Sequence, residues 1–304
     1  MLDRFKACML GAAIGDALGM PNESTSPNLH KMRYGYRRAY KGHPNAGLKA
    51  GQFTDDTQLM ILAGTLLADG RFNEDRYAEA LKELYARGGF RFPDGSVSAA
   101  CEHMIRDNPS SAGVKSTTAG CLALAIPFTL AYPNLSEAVE RAVRSCSVTH
   151  THPAAHAAVA TLTVLIYYTI NGSGDAIRQA EKKASVEDDV LGGRIRNALM
   201  LEREGVDIET AVLKIGHDVS VFQTLPLAFF LISRYQHPPD LLTVAANVGG
   251  NTDTIAFICG AYLGAHGSME ALPSDLLEGL EERQRIELLA QRLHGVYQRK
   301  MEQP

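Results

Sequence analysis

Over most of the chain, apolar positions recur at i, i+3, i+4 and i+7, the spacing that turns one face of an α-helix toward a core. Ala and Leu fill these positions in segment after segment, while period-2 runs of Val, Ile, Thr and Tyr are few. The spacing predicts helices over 3–19, 56–69, 74–87, 96–106, 118–131, 135–145 and 153–170. It predicts more over 173–183, 190–204, 207–215, 222–235, 239–247, 254–266 and 273–299. The connections are short and marked by Gly, Pro or Asn. These elements imply an all-α fold, a single compact many-helix domain over residues 1–304.

Two details refine that pattern. Gly11, Gly15 and Gly19 recur every four residues, as do Gly260 and Gly264, so each helix should carry a flat strip on which another backbone can lie. By contrast, the stretch 21–53 has no periodicity and is rich in Pro, Gly, Asn and basic residues. A loop of that length inside a compact domain is expected to carry function.

Composition narrows the function classes. Apolar residues make up 45% and charged residues 21% of the 304, enough to bury a core and far from disordered composition. Thirty basic against 34 acidic residues leave a net charge of −4, no reservoir for neutralising a phosphate backbone, so general nucleic-acid binding is not expected. The five cysteines, Cys8, Cys101, Cys121, Cys146 and Cys259, are scattered among small apolar residues and read as reduced, buried thiols of a cytoplasmic protein. No export signal is expected, because Asp3 and Asp16 spoil the N-terminal apolar run. The longest apolar runs, 225–232 and 255–265, fall short of the roughly 20 residues that span a bilayer, so no membrane association is expected.

Candidate chemistry concentrates at two helix starts. Gly51-Gln52-Phe53-Thr54-Asp55-Asp56-Thr57 opens the apolar helix that runs to Leu67, with Thr54 as a plausible N-cap. One first-turn carboxylate suits the helix dipole, but two adjacent ones at a partly buried end raise each other's pKa unless a cation sits between them. Almost 200 residues on, Gly249-Gly250-Asn251-Thr252-Asp253-Thr254 repeats the arrangement. Oxygen donors without Cys or His suit Mg²⁺, Mn²⁺ or Ca²⁺ better than zinc, although two unrelated N-caps would read the same way. His152 and His156 have zinc-ligand spacing, but Pro153 puts His152 at or before the N-cap, where the two rings need not share a face.

Four segments in order, GAAIGDALGMPNE (11–23), GQFTDDTQLM (51–60), SVTHTHPAAHAAV (147–159) and VGGNTDTIAFICGAYLGAHG (248–267), make the sequence resemble the ADP-ribosylglycohydrolases over nearly its whole length. That family includes dinitrogenase-reductase-activating glycohydrolase and related mono-ADP-ribosyl hydrolases. The resemblance implies an all-helical fold around two Mg²⁺ or Mn²⁺ ions, and hydrolysis of the bond joining the distal ribose of ADP-ribose to a protein side chain or small group. It implies metal ligation by Thr54, Asp55, Asp56, Asn251, Asp253 and Thr254, with Asp55 and Asp56 also counted as catalytic. Glu23 becomes the expected catalytic acid or base, and His150 a residue lining the cleft. Asn251 stands where the family usually has aspartate, so the second ion is expected to bind more weakly.

A pyrophosphate in an acidic all-α protein is best received by helix-start N–H groups, which Gly95 with Ser96, and Thr118 with Gly120, could supply. With no Trp in the chain, Tyr34, Tyr36, Phe90 and Phe92 are candidates for stacking on adenine. The expected partner is an ADP-ribosylated protein or an ADP-ribose-like small molecule. Two alternatives stay open: an N-ribosidase acting on a free nucleoside or nucleotide, and a non-catalytic binding or structural protein on the same fold.

Overall fold

A computed structural model describes residues 1–106, 112–235 and 237–302. The helices are α1 Leu2–Gly19, α2 Asp55–Ala68, α3 Glu74–Ala86, α4 Gly95–Arg106, α5 Ala125–Ala131, α6 Leu135–Cys146, α7 Pro153–Ile170 and α8 Ala176–Glu187. They continue as α9 Asp189–Arg203, α10 Ile208–Ile215, α11 Val221–Arg234, α12 Pro238–Ala245, α13 Thr252–Gly267, α14 Ser274–Gly279 and α15 Arg283–Glu302. Among the described residues two isolated bridges, Val114 with His150 and Thr118 with Ser220, are the only β-pairing. The all-α expectation is met, in one compact domain.

Helices α1, α7, α11 and α13, apolar on nearly every side, form the centre, and amphipathic helices such as α3, α6 and α15 bury one stripe against it. Of the described helices only α7 is long and apolar enough to cross a membrane by length and composition, and 78% of it is buried inside the fold. His156, Thr161, Thr163 and Thr169 interrupt it, so no unbroken apolar run marks it in the sequence. All five cysteines are buried and unpaired.

The glycine strips dictate the central contact. Helices α1 and α13 run antiparallel with their backbones touching: a Cβ on Gly15 would lie 1.9 Å from the Ala256 carbonyl oxygen, and one on Gly260 would lie 1.9 Å from that of Gly11. At the end of the strip, a Cβ on Gly19 would stand 2.3 Å from the Thr252 oxygen. The C-terminal end of α1 is thereby pressed against the N-terminal end of α13, which brings the two distant motifs together. Gly15→Ala is expected to force the helices apart and destabilise the protein by roughly 1–3 kcal/mol or more, read as a fall in the midpoint of denaturant unfolding. An unchanged midpoint would contradict this packing.

Two predicted helices are corrected. In 118–131 the chain first winds as a 3₁₀ turn, Ala119–Leu124, and becomes α-helical only at Ala125. Pro127 has no N–H to offer the Ala123 carbonyl, and its ring opposes an α-turn there. The predicted helix 273–299 breaks after Gly279, and Glu282 takes a left-handed conformation (φ 52°). The break lets the Glu281 amide donate to the Gly51 carbonyl at 3.0 Å while its carboxylate pairs with Arg91.

Candidate active site

Asp16 forms the floor. It is fully buried one turn before the end of α1, and four donors surround it. Oδ1 accepts from the Thr54 amide (2.9 Å) and hydroxyl (2.8 Å), and Oδ2 from the Thr57 amide (3.1 Å) and hydroxyl (2.6 Å). Thr54 occupies the N-cap position but its side chain accepts nothing from the helix, and Asp16 on another helix satisfies the amides instead.

Above Asp16 the two helix starts face each other. Asp56 Oδ2 accepts the Thr254 hydroxyl at 2.7 Å, Asp253 Oδ1 accepts the Thr254 amide at 2.9 Å, and Thr54 Oγ1 lies 3.4 Å from Asp253 Oδ2. Glu23, on the loop after α1, joins them. The loop is docked by Ser24 N–H donating to the Gly250 carbonyl (2.7 Å) and by Gly250 N–H donating to Thr25 (2.9 Å). Gly250 is required there, because φ is +64° and a Cβ would meet the His217 carbonyl at 2.0 Å. Glu23 is only 7% exposed, and its Oε2 accepts from Asn45 Nδ2 at 2.7 Å.

The opposite wall hangs on Asp94, the N-cap of α4. Its amide donates to Asp55 Oδ2 (2.9 Å), while its Oδ1 accepts the Ser96 amide (2.7 Å) and the Thr118 hydroxyl (2.9 Å). His150 lies behind, with Nε2 2.9 Å from Thr118 Oγ1. Burial opposes ionisation of Asp94, but His150, the Thr118 hydroxyl and the Ser96 amide outweigh it and hold the group below the usual carboxylate value. Arg91, paired with Glu281 and donating to the Phe53 carbonyl at 3.1 Å, anchors the segment that leads to Asp94. Between the walls is a cavity of about 300 Å³, bordered by Glu23, Asp55, Asp56, Phe92, Asp94, Gly95, Thr118, Gly120, Val219, Asn251, Asp253 and Thr254 among others.

A profile of the ADP-ribosylglycohydrolase family matches residues 1–303. The chain belongs to the ADP-ribosylglycohydrolase family. It is 34% identical over 304 residues to an uncharacterized protein of Archaeoglobus fulgidus, covering 98% of each chain. It is 27% identical to the ADP-ribosyl-[dinitrogen reductase] glycohydrolase of Rhodospirillum rubrum, covering 92% of this chain and 90% of that one. A solved structure titled "ADP-ribosylglycohydrolase-related protein complex" shares the fold, with a TM-score of 0.76 and 22% identity over 97% of this chain and 98% of that one.

In this member of the family the tertiary structure brings Glu23, Asp55, Asp56, Asn251, Asp253 and Thr254 to one cavity, with Gly95, Thr118 and Gly120 on its border. Three expected site residues stand behind the wall instead. His150 is fully buried and meets the cavity through Thr118, Ser96 supports Thr118 through a 2.8 Å hydroxyl contact, and Thr54 is turned down onto Asp16. Of the stacking candidates Phe92 borders the cavity, whereas Tyr34 donates to Asp275 at 2.8 Å, away from it. His152 caps α7 by accepting the Ala154 amide on Nδ1 at 3.1 Å, and His156 Nε2 lies 2.9 Å from the His150 carbonyl oxygen.

Sequence reasoning missed Asp16, Asn45 and Asp94. Asp16 had a signal, a lone charge in an apolar helix that has to be satisfied once buried. Asp94 had one too, standing as an Asp N-cap before Gly95. Asn45 had none.

The electrostatics follow from crowding. Burial, then the charge of Asp253, pushes Glu23 up to about 11, and burial with the charge of Asp16 pushes Asp253 up to about 7. Asp55 and Asp56 are also raised well above the ordinary range, by burial first and by their acidic neighbours. The folded protein therefore binds more protons here than the unfolded chain, whose carboxyls titrate near ~4, and stability is lost as pH rises from there toward neutrality. With a chelator present, the melting temperature is expected to fall between about pH 5 and pH 7, less steeply in Asp56→Ala. A rising curve would mean the cluster is not crowded in solution.

Proposed function

We propose that this chain is a metal-dependent ADP-ribosyl hydrolase that cleaves the bond between the distal ribose of ADP-ribose and a modified protein side chain or small group. The carrying observation is the cavity itself: Glu23, Asp55, Asp56 and Asp253 converge on it from three segments, and no Lys or Arg is among its described lining residues. Family membership, and the glycohydrolase named in Rhodospirillum rubrum, support the ribosyl substrate.

The donor set fits hard divalent cations. Among the described residues no three His, Cys, Asp or Glu side chains already form a coordination sphere, but Asp55 and Asp56 each use one oxygen on a protein donor and keep the other. Asp55, Asp56, Asp253, Thr254 and Asn251 would hold Mg²⁺ or Mn²⁺, in two sites with the second weaker. Such ions supply positive charge for a ribose diol and lower the pKa of a bound water. The chain's own part is to bind, orient and move a proton. The N–H groups at Gly95 and Gly120 offer donors to the pyrophosphate, with Thr118 on the same border fixed by its bond to Asp94, and Phe92 an apolar wall. Glu23 carries the proton transfer, since Asn45 holds one of its oxygens and the cavity receives the group. In the hydrolysis the C1–acceptor bond breaks with its electron pair leaving on the acceptor. Water oxygen bonds to C1, and the water's proton ends on the acceptor. The five reduced thiols support a cytoplasmic setting.

The test is product release from arginine-linked and serine-linked ADP-ribosyl peptides and from a nucleoside panel, with Mg²⁺ or Mn²⁺ and after chelation. We expect ADP-ribose from at least one peptide, lost on chelation and restored by the cation. Turnover in protein shown metal-free by elemental analysis would refute metal dependence, and cleavage of nucleosides alone would favour the N-ribosidase.

A further inference from the structure

Asn251 is a neutral residue in an acidic cluster, and its side-chain amide has two unlike ends. Only the oxygen can serve a cation, and turning the amide over would present N–H groups instead. The neighbour that decides between these orientations is Thr224, fully buried in α11 and outside the cavity lining. Its hydroxyl carries one hydrogen, which it donates to the Asp218 carbonyl at 2.9 Å. A carbonyl can only accept, so toward Asn251 the hydroxyl is left as an acceptor, and what faces it at 3.0 Å is the amide nitrogen. The reverse orientation would oppose two acceptors in a buried setting, which is costly. The backbone of Asn251 is pinned as well. Its amide donates to the His217 carbonyl at 2.8 Å and its carbonyl accepts from Ile255 at 3.0 Å.

We propose that Thr224 is a positioning residue that locks the Asn251 amide with its oxygen toward the cavity, which makes a neutral side chain usable as a ligand for a hard divalent cation. The inference rests on the metal-dependent reading above. It has a consequence that a merely structural role for Thr224 lacks. A carboxylate has an oxygen at both ends, so in the Asn251→Asp background, where the Thr224 hydroxyl turns its hydrogen from the Asp218 carbonyl to the carboxylate, no rotation can withdraw the ligand oxygen and Thr224 should lose its influence on orientation.

The experiment is a double-mutant cycle on the full chain, read as Mn²⁺ binding by calorimetry and by loss of the free-ion paramagnetic resonance signal. Thr224→Val should weaken Mn²⁺ binding about 10-fold or more, the usual size of an effect transmitted through a ligand's hydrogen-bond partner, while Thr224→Ser should bind as wild type does. Asn251→Asp should tighten the weaker site, and adding Thr224→Val to it should change affinity by less than about 3-fold, a coupling of about 3-fold or more and outside the usual scatter of additivity. Circular dichroism melting checks each variant, and Thr224→Ala replaces Thr224→Val if the latter does not fold. Equal weakening in both backgrounds, or failure of Thr224→Ser to restore binding, would overturn the role of Thr224 even if the wild type binds Mn²⁺ well. A wild type that binds no Mn²⁺ would overturn both this inference and the metal-dependent reading.

Discussion

Asp56→Ala is expected to lower turnover by about 10³-fold or more, a loss of several kcal/mol of transition-state stabilisation at about 1.4 kcal/mol per decade. The fold should survive, and the metal-free variant should melt no lower than wild type. Asp56 sits fully enclosed at the start of α2 among Asp55, Asp253 and Asp16, all of which raise its pKa beyond what burial does. Removing it relieves that repulsion, at the cost of the one hydrogen bond it accepts from Thr254. Activity and stability thus move in opposite directions, which separates this reading from the simpler one of an acidic helix cap. A cap lost from α2 would lower the melting temperature and leave any residual activity with unchanged metal affinity. Since Asp16 and not Asp56 satisfies the Thr57 amide, the structure places the capping elsewhere. Steady-state turnover with Mn²⁺, alongside thermal melting with and without the ion, decides the matter.

Glu23→Gln should reduce kcat by roughly 10²–10⁴-fold, the range for a positioned acid or base, while Mn²⁺ and ADP-ribose still bind. The substitution is nearly isosteric, and the amide oxygen of glutamine can still accept from Asn45, so the loop should keep its place. What is lost is a group able to hold and release a proton. Had Glu23 been a solvated loop carboxylate, the change would leave kcat near normal, and that result would remove it from the mechanism. A matching loss in metal affinity would move it among the ligands instead.

The long stretch 21–53 shows why the loop residues were only half legible. Its lack of periodicity marked it as functional, and Glu23 stood out through the family motif. Asn45 gave no sign, because its role exists only once the segment folds back and places Nδ2 2.7 Å from Glu23 and 3.2 Å from the Met20 carbonyl. The same holds for His150. Sequence placed it on the cleft, whereas the structure sets it one layer back, acting on the cavity through Thr118.

By itself the sequence determined the all-α class, nearly every helix, the glycine strips and the two oxygen-rich helix starts. These are written in local spacing and in the need of apolar faces for a partner. It misjudged 118–131 and 273–299, where Pro127 and the pull of Gly51 and Arg91 on Glu281 override helical spacing. Only the tertiary structure decided that the glycine strips of α1 and α13 face each other, and hence that Asp55 and Asp253 share a cavity. It also decided that Asp16 caps α2 from another helix and that Thr224 governs the Asn251 amide. Burial and the direction of a hydrogen bond depend on neighbours far away along the chain, and no local pattern records which of them a side chain will meet.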